Sequence, residues 1–529
     1  MAYFYNSLTY STGLMFSRTS YTSKTAFLIV IVAIVKLCIA PLIELGNDEV
    51  YYWTYALQLD WNHFDHPPII GFLIRLTSLN LWWSSELSLR LGSILGASIA
   101  TWFIFKLGKL IDGERVGWFA ALIYTACIYT GFIAGFFILP DSPQMPFWTA
   151  ALYIMAHLIL KQHDQNNVFV WALLGIVIGL ATLCKVHGLY LWVGFGLFIL
   201  FKRIAWLTNW RIYLAALITL CFTIPIFYWN FKNDFITYKF HSERVSNTGI
   251  QWESLLREIV GEITYQNPIL FVLFIFSVIA LLANKIRFKQ KRIVIWLFSM
   301  SVPMLLTFWG ISLFNPTLPH WSGPAYIPIF LIAAVYLERS TNKIYPNWLK
   351  IAIGFIIVLL IAGIATIRFS PRNFGSHDLQ NYGEYCPTLD LSGWKDFGIQ
   401  FNNLVKRDID EKVMNNGSVI LANQWFPAGH IEFYVSEPSE IPLIGVGSLK
   451  DLHKFIWLNK DRKKLAIGDD AYCIVPSNLP LDVQLTYGSY FTEIKPAQTI
   501  NQVRNGGVVR YFYIYRMKEC KKIPAEIIK

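Results

Sequence analysis

Apolar residues run along this chain in long uninterrupted stretches, and the charged residues are confined mainly to the short segments between them. Eleven stretches are expected to be membrane-crossing helices: about 25–45, 87–111, 115–135, 143–160, 168–186, 189–206, 211–230, 268–284, 291–311, 323–338 and 350–368. Each is close to the length that crosses a hydrocarbon layer of ~30 Å when some are short or tilted. In this scheme Lys106, Lys109, Arg115, Lys161, Lys202, Arg203, Arg211, the basic segment 285–292, Arg339, Lys343 and Lys350 share one side with the N-terminus. The excess of Lys and Arg makes that side cytoplasmic. Loops 46–86, 136–142, 231–267 and 312–322 then face outward, as does everything after 368. A count of ten crossings would instead leave the C-terminal part in the cytoplasm.

From 369 the pattern changes. Short alternating or apolar runs at 418–422, 466–470, 472–475 and 508–515 read as strands, and helical spacing appears near 393–415 and 447–458. The expected architecture is an α-helical polytopic membrane protein of about 11 transmembrane helices, residues 1–368, with a C-terminal extracytoplasmic (periplasmic) α/β domain, residues 369–529.

Composition supports the membrane assignment: 55% of residues are hydrophobic and 16% aromatic, and the mean hydropathy is +0.43. The net charge of +11 resides in loops that orient the spans, without the basic strip and interleaved base readers of a nucleic-acid partner. Of the seven cysteines, Cys38, Cys127, Cys184 and Cys221 lie in apolar runs. Cys386, Cys473 and Cys520 allow one bridge at most, and no Cys-x-x-Cys spacing marks a zinc site. The first 24 residues carry Arg18 and Lys24 and no small-residue cleavage site, so the first apolar run is expected to be retained. A phosphate-binding Gly-x-x-x-x-Gly-Lys-Ser/Thr loop is missing from the sequence.

The stretch richest in candidate chemistry is 46–71, directly after the first span. Gly46-Asn47 reads as a break and cap before a short helix that begins with Asp48 and Glu49 and has Tyr52, Trp53 and Ala56 on one face. His63-Phe64-Asp65-His66 follows, closed by Pro67-Pro68. Such carboxylates can serve as a general base, a metal ligand or a partner for a cationic substrate. The alternative for Asp48 and Glu49 is that they only complement the helix N-terminus, at ~0.3–1 kcal/mol each. Histidines on both sides of Asp65 are not explained by capping.

Asp48-Glu49-x-Tyr-Tyr-Trp, then Phe64-Asp65-His66-Pro67-Pro68 and Gly71, resembles the first outer loop of bacterial GT-C glycosyltransferases, integral membrane enzymes similar to dolichyl-phosphate-mannose protein mannosyltransferases and to the aminoarabinose transferase of lipid A. Asp141, between Pro140 and Pro143 at the membrane edge, stands where that family has an Asp after its third span; a turn role is the alternative. Lys185 and Gly188 resemble the family's motif facing the donor phosphate, with His187 preceding that Gly here, although a lysine there can also simply snorkel to headgroups. His320-Trp321 stands where related enzymes often have Tyr-Tyr. Segment 251–265 reads as an amphipathic surface helix that either covers the site or is a solvated connector. Asn423, Trp425 and His430 are assigned to the folded core of the outer domain rather than to a sugar site.

The resemblance implies inverting transfer of a sugar from a polyprenyl-phosphate donor to an extracytoplasmic acceptor: a protein hydroxyl, lipid A or an envelope glycan. Asp48 is the expected base. Glu49, Asp65 and Asp141 would orient hydroxyls or hold a divalent metal ion, the metal candidates being Asp48, Asp65 and Asp141. Tyr52, His63, His66, Lys185, His187 and His320 are the substrate-binding candidates. Two other classes remain open: a lipid-linked sugar flippase, which would need a polar path through the spans, and a non-catalytic envelope assembly protein, which would tolerate loss of the carboxylates.

Overall fold

The structure is a computed structural model and describes residues 20–243 and 249–524, so Arg18 and Arg244 lie outside the described residues. Two compact units emerge. One comprises the chain up to Cys38 with Arg90–Ile357, and the other Ile39–Leu89 with Val358 onward. The chain is mostly helical. Among the described residues, five helices are long and apolar enough to cross a membrane: Tyr21–Leu42, Glu86–Asp112, Trp210–Lys232, Lys291–Ser312 and Asn347–Phe369. A sixth is added if Trp252–Tyr265 and Pro268–Leu282, bent by 100° at their junction, form one broken span.

Helices also occupy the other apolar runs, including Glu114–Ala126, Asp141–Leu160, Val168–Cys184, Tyr190–Lys202 and Ile327–Ser340. The run 115–135 is divided because the backbone turns extended at Cys127 and resumes as a π-helical turn, Tyr129–Ile133.

Small residues set the closest approaches in the first unit. Helix Val168–Cys184 meets Trp210–Lys232 at Gly175, where a Cβ would lie 2.4 Å from the Ala215 carbonyl oxygen. The Thr219 hydroxyl donates to the Gly175 carbonyl at 2.9 Å and receives the Trp192 indole N–H at 3.0 Å. This combination of a bare α-carbon and a hydroxyl between helices is the usual packing device where lipid, rather than water, surrounds them.

The second unit contains a five-stranded sheet. Its strands are β1 (Val419–Ala422), β2 (Leu443–Gly445), β3 (Ala471–Pro476), β4 (Phe491–Arg504) and β5 (Gly507–Cys520), in the order β2-β1-β3-β5-β4. β1 pairs in parallel with β2 and β3; β3/β5 and β5/β4 are antiparallel. Helix Trp394–Asp410 buries Trp394, Phe397, Phe401, Leu404 and Asp408 at helical spacing. Asp408 accepts two hydrogen bonds from Arg516 on β5, both 2.6 Å, and one from the Tyr472 hydroxyl on β3.

Three expectations need correction. The strand expected at 466–470 is a turn, with Gly468 at φ +87° and the Asp469 carboxylate accepting from the Ala466 N–H. The helix expected at 393–415 ends at Asp410, with Lys412 at φ +55°. The helix expected at 447–458 is two turns, Leu449–Leu452 and Phe455–Leu458, interrupted by His453 at φ +50°. All seven cysteines fall among the described residues, and none of them is bridged.

Replacing Gly175 with Leu should push the two helices apart and cost about 1–3 kcal/mol of stability, as overpacking does. The check is the unfolding midpoint of detergent-solubilised protein; an unchanged midpoint would mean that the two helices are not held in contact at this position.

Candidate active site

The sequence-derived residues divide between the two units. Asp48, Glu49, Tyr52, His63, Asp65 and His66 fall in the second, and Asp141, Lys185, His187 and His320 in the first.

In the second unit, helix Asn47–Leu57 begins after extended Gly46. Its two acidic residues have different fates. Glu49 is buried, and its Oε2 accepts the Gly46 N–H at 2.9 Å, which satisfies a donor the helix start leaves open. Asp48 reaches the surface. The protein packed around it, with the like charges of Asp65, Glu49 and Asp390, pushes its pKa up to about 6, while the His66 charge acts the other way.

Asp65 is tied down. It accepts hydrogen bonds from the hydroxyls of Tyr51, at 2.8 Å, and Tyr55, and lies 3.1 Å from His66 Nδ1. Burial alone would raise its pKa. The His66 charge and hydrogen bond, the charge of His453 and the Tyr55 hydroxyl outweigh this and hold Asp65 well below the usual carboxylate range. The Tyr52 hydroxyl is 3.5 Å from His66 Nδ1. His63 is buried and stacked on Tyr55, ring centres 3.7 Å apart; burial and the Lys454 charge lower its pKa and favour neutral imidazole.

The C-terminal part of the same unit encloses this helix. His430 Nε2 donates to the carbonyls of Leu45 and Asp390, both at 2.9 Å. Asn47 donates to Asp390 Oδ2 at 2.9 Å, and the Lys454 ammonium to Gln58 Oε1 at 2.9 Å. Trp425 packs on Tyr51 at 5.0 Å, and His453 lies between Phe64 at 4.7 Å and Trp425 at 5.5 Å. His430, fully buried against Trp394, has the core role expected for it.

In the first unit, Asp141 opens helix Asp141–Leu160 and is 2% exposed. Lys185 follows the end of helix Val168–Cys184, and its ammonium donates to both Asp141 oxygens, at 3.0 and 2.9 Å. The Tyr129 hydroxyl donates to Asp141 Oδ1 at 2.8 Å. Burial acts to raise the Asp141 pKa, but the Lys185 and His320 charges and these hydrogen bonds hold it low. Gln144 pins the chain break by donating to the Lys185 carbonyl at 2.8 Å. His187 meets Phe308 edge-on at 5.2 Å, and Phe308 in turn meets Trp321 at 6.0 Å.

Helix Trp252–Tyr265 is amphipathic with its polarity turned inward. Ser254, Glu258 and Glu262 are buried, whereas Trp252, Leu256 and Val260 are exposed. Thr317 donates to Glu258, and Glu262 accepts from Ser322, Trp309 and Tyr326. A solvated connector would show the opposite arrangement. Among the described residues, no group of three or more His, Cys, Asp or Glu side chains is arranged to hold a metal ion.

Tyr51, Tyr55, Tyr129 and His453 were not among the sequence-derived candidates. The i, i+4 spacing of Tyr51 and Tyr55 was a usable signal; Tyr129 and His453 reach their carboxylates only through the fold.

These features are those of a largely helical, apolar protein that holds several carboxylates in place, and comparisons with known proteins say what it resembles. Residues 65–229 match the dolichyl-phosphate-mannose-protein mannosyltransferase family. The chain is 25% identical over 340 residues to lipid A galacturonosyltransferase RgtD of Rhizobium johnstonii, covering 63% of this chain and 67% of that one. It is 24% identical over 371 residues to the undecaprenyl phosphate-α-4-amino-4-deoxy-L-arabinose arabinosyl transferase of Yersinia pestis, covering 65% of this chain and 63% of that protein. The fold matches ArnT from Cupriavidus metallidurans, solved bound to undecaprenyl phosphate, with a TM-score of 0.60 at 16% identity over 93% of this chain and 97% of that one. These sequence and fold similarities support a bacterial GT-C glycosyltransferase.

Lys185→Met should leave Asp141 buried without its cation and cost about 3–5 kcal/mol, whereas Asp141→Asn combined with Lys185→Met should cost much less. Unfolding midpoints of the single and double variants test this; a double variant no more stable than the single would mean that the ion pair is not buried as described.

Proposed function

We propose that the protein transfers a sugar with inversion from a polyprenyl-phosphate donor to a hydroxyl on the extracytoplasmic side of the plasma (inner) membrane. In this reading residues 1–368 cross the bilayer eleven times as the catalytic domain, and residues 369–529 form an extracytoplasmic domain. The observation that carries the choice of base is the contrast within the first loop. Glu49 and Asp65 are engaged by the protein, whereas Asp48 reaches the surface with a pKa raised to about 6. An accessible carboxylate with raised basicity suits proton abstraction at neutral pH.

Asp48 takes the proton of the acceptor hydroxyl as its oxygen attacks the anomeric carbon. The bond from that carbon to the phosphate oxygen breaks, and the lipid phosphate leaves with the electron pair. Lys185 and His66 stabilise the growing negative charge. When donor is bound its phosphate replaces Asp141 as the partner of Lys185, which releases Asp141 to a sugar hydroxyl. Glu49 and Asp65 hold the acceptor loop in shape. The relatives named above act on lipid A or use an undecaprenyl-phosphate sugar, which makes lipid A the leading acceptor.

Asp48→Asn should lower transfer ~10²–10⁴-fold, the range of a general base, without loss of membrane insertion. In the wild type, kcat/KM should be level above pH 7 and fall about tenfold per pH unit below about 6, as Asp48 takes up its proton. Product formation from labelled lipid-linked sugar reads both; near-normal turnover by the Asn variant would remove Asp48 from the mechanism.

A further inference from the structure

Lys36 is the one charged residue between Lys24 and Glu44, a stretch that is otherwise apolar apart from Thr25. It lies in helix Tyr21–Ile39, and its ammonium donates to the Gly135 carbonyl at 2.9 Å. It makes no ion pair with a described residue. A charge in this setting is costly unless a counter-charge reaches it, and ionisable residues within spans mark ligand or ion sites.

The surroundings form a pocket. Its walls include Ile29 and Val32 from the same helix, Ser98 and Thr101 from Glu86–Asp112, and Thr125 and Thr130 from the Glu114–Ala126 helix and the π-turn. The four hydroxyls donate to carbonyls of their own neighbourhood: Ser98 to Ile94, Thr101 to Ala97, Thr125 to Ala121 and Thr130 to Tyr124. None carries a charge to balance the lysine. Gly135 lets the ammonium approach the backbone, since a Cβ there would stand 3.0 Å from Nζ. The contrast with Lys185, whose charge is met by both oxygens of Asp141, is direct.

We propose that Lys36 and this pocket bind the phosphate of a lipid, at a station separate from the Asp141–Lys185 pair. The two are joined by one element: in the π-turn, Tyr129 hydrogen-bonds to Asp141 while Thr130 and Gly131 line the Lys36 pocket. A phosphate here supplies the missing counter-charge. The donor chemistry fits both a polyprenyl phosphate and a glycerophospholipid.

Full-length protein in detergent, titrated with farnesyl phosphate and separately with phosphatidylglycerol and followed by native mass spectrometry, tests the site. Lys36→Met should weaken binding of the preferred probe at least tenfold, and Lys36→Arg should retain it. Ser98→Leu, which fills the pocket and leaves the lysine in place, should also weaken it and covers the case in which the Met variant does not fold. Tighter binding of farnesyl phosphate assigns a polyprenyl lipid, and tighter binding of phosphatidylglycerol assigns a bulk phospholipid. Unchanged binding of both probes by Lys36→Met, or by Ser98→Leu if the Met variant does not fold, would overturn the proposal and leave Lys36 as a cap on the π-turn. The measurement is of binding, so it stands whether or not Asp48 proves to be the base.

Discussion

A carboxylate close to hydrocarbon must be paired, hydrogen-bonded or wetted, because ionisation without such support is expensive. The protein meets this constraint in several ways. Asp141 has a lysine and a tyrosine hydroxyl, Asp65 a histidine and two tyrosine hydroxyls, and Glu262 an indole and two hydroxyls. Each arrangement requires a partner from another part of the chain, so the charged residues also fix the helices that carry them. Their positions are consequences of packing as much as of chemistry.

The same principle explains why the first loop is built with the C-terminal region. Glu44 accepts the Trp394 N–H at 2.8 Å, Leu45 donates to the Tyr434 hydroxyl at 2.7 Å and accepts from His430, and Asn47 bonds to Asp390. Four consecutive positions before Asp48 are thus tied down or next to one that is, and the helix start that presents Asp48 is held on both sides. An 11-residue helix is marginal by itself in water. Tertiary contacts supply the order that its length does not, and a base must be held in a fixed direction to be effective.

Much of this was legible in the sequence, and the failures have physical causes. Apolar runs located the helices because membrane helices need no amphipathic spacing to be recognised. Their lengths were less legible: the break at Cys127 and the π-turn have no marker such as proline, since they arise from packing around Tyr129 and Thr130. The motif 46–71 was readable as a unit, but the different fates of Asp48 and Glu49 follow from which carboxylate folds back to the helix start. β4 escaped notice because it lies at the sheet edge with most side chains exposed and contains Pro496, which an edge strand accommodates. Helix Trp252–Tyr265 was recognised, yet its periodicity could not say which face was inward. In water the apolar face would be buried. Here the carboxylates are inside, because Thr317, Ser322, Trp309 and Tyr326 provide the hydrogen bonds that lipid does not.

The distribution of satisfied and unsatisfied charge therefore separates scaffold from chemistry more clearly than residue type does. Asp65 and Asp141 are held low in pKa by their partners and are poor bases in this state. Asp48 is different: its carboxylate makes no hydrogen bond to a described residue, and like charges around it raise its basicity. Evolution of a stable helix start would have sufficed with Glu49 alone, since that residue already satisfies the Gly46 N–H. A second carboxylate placed beside it, directed to the surface and surrounded by acidic neighbours, works against stability through repulsion. Under the proposed function, a local feature that opposes stability serves the reaction, and this supports Asp48 as the base on grounds other than resemblance to a family.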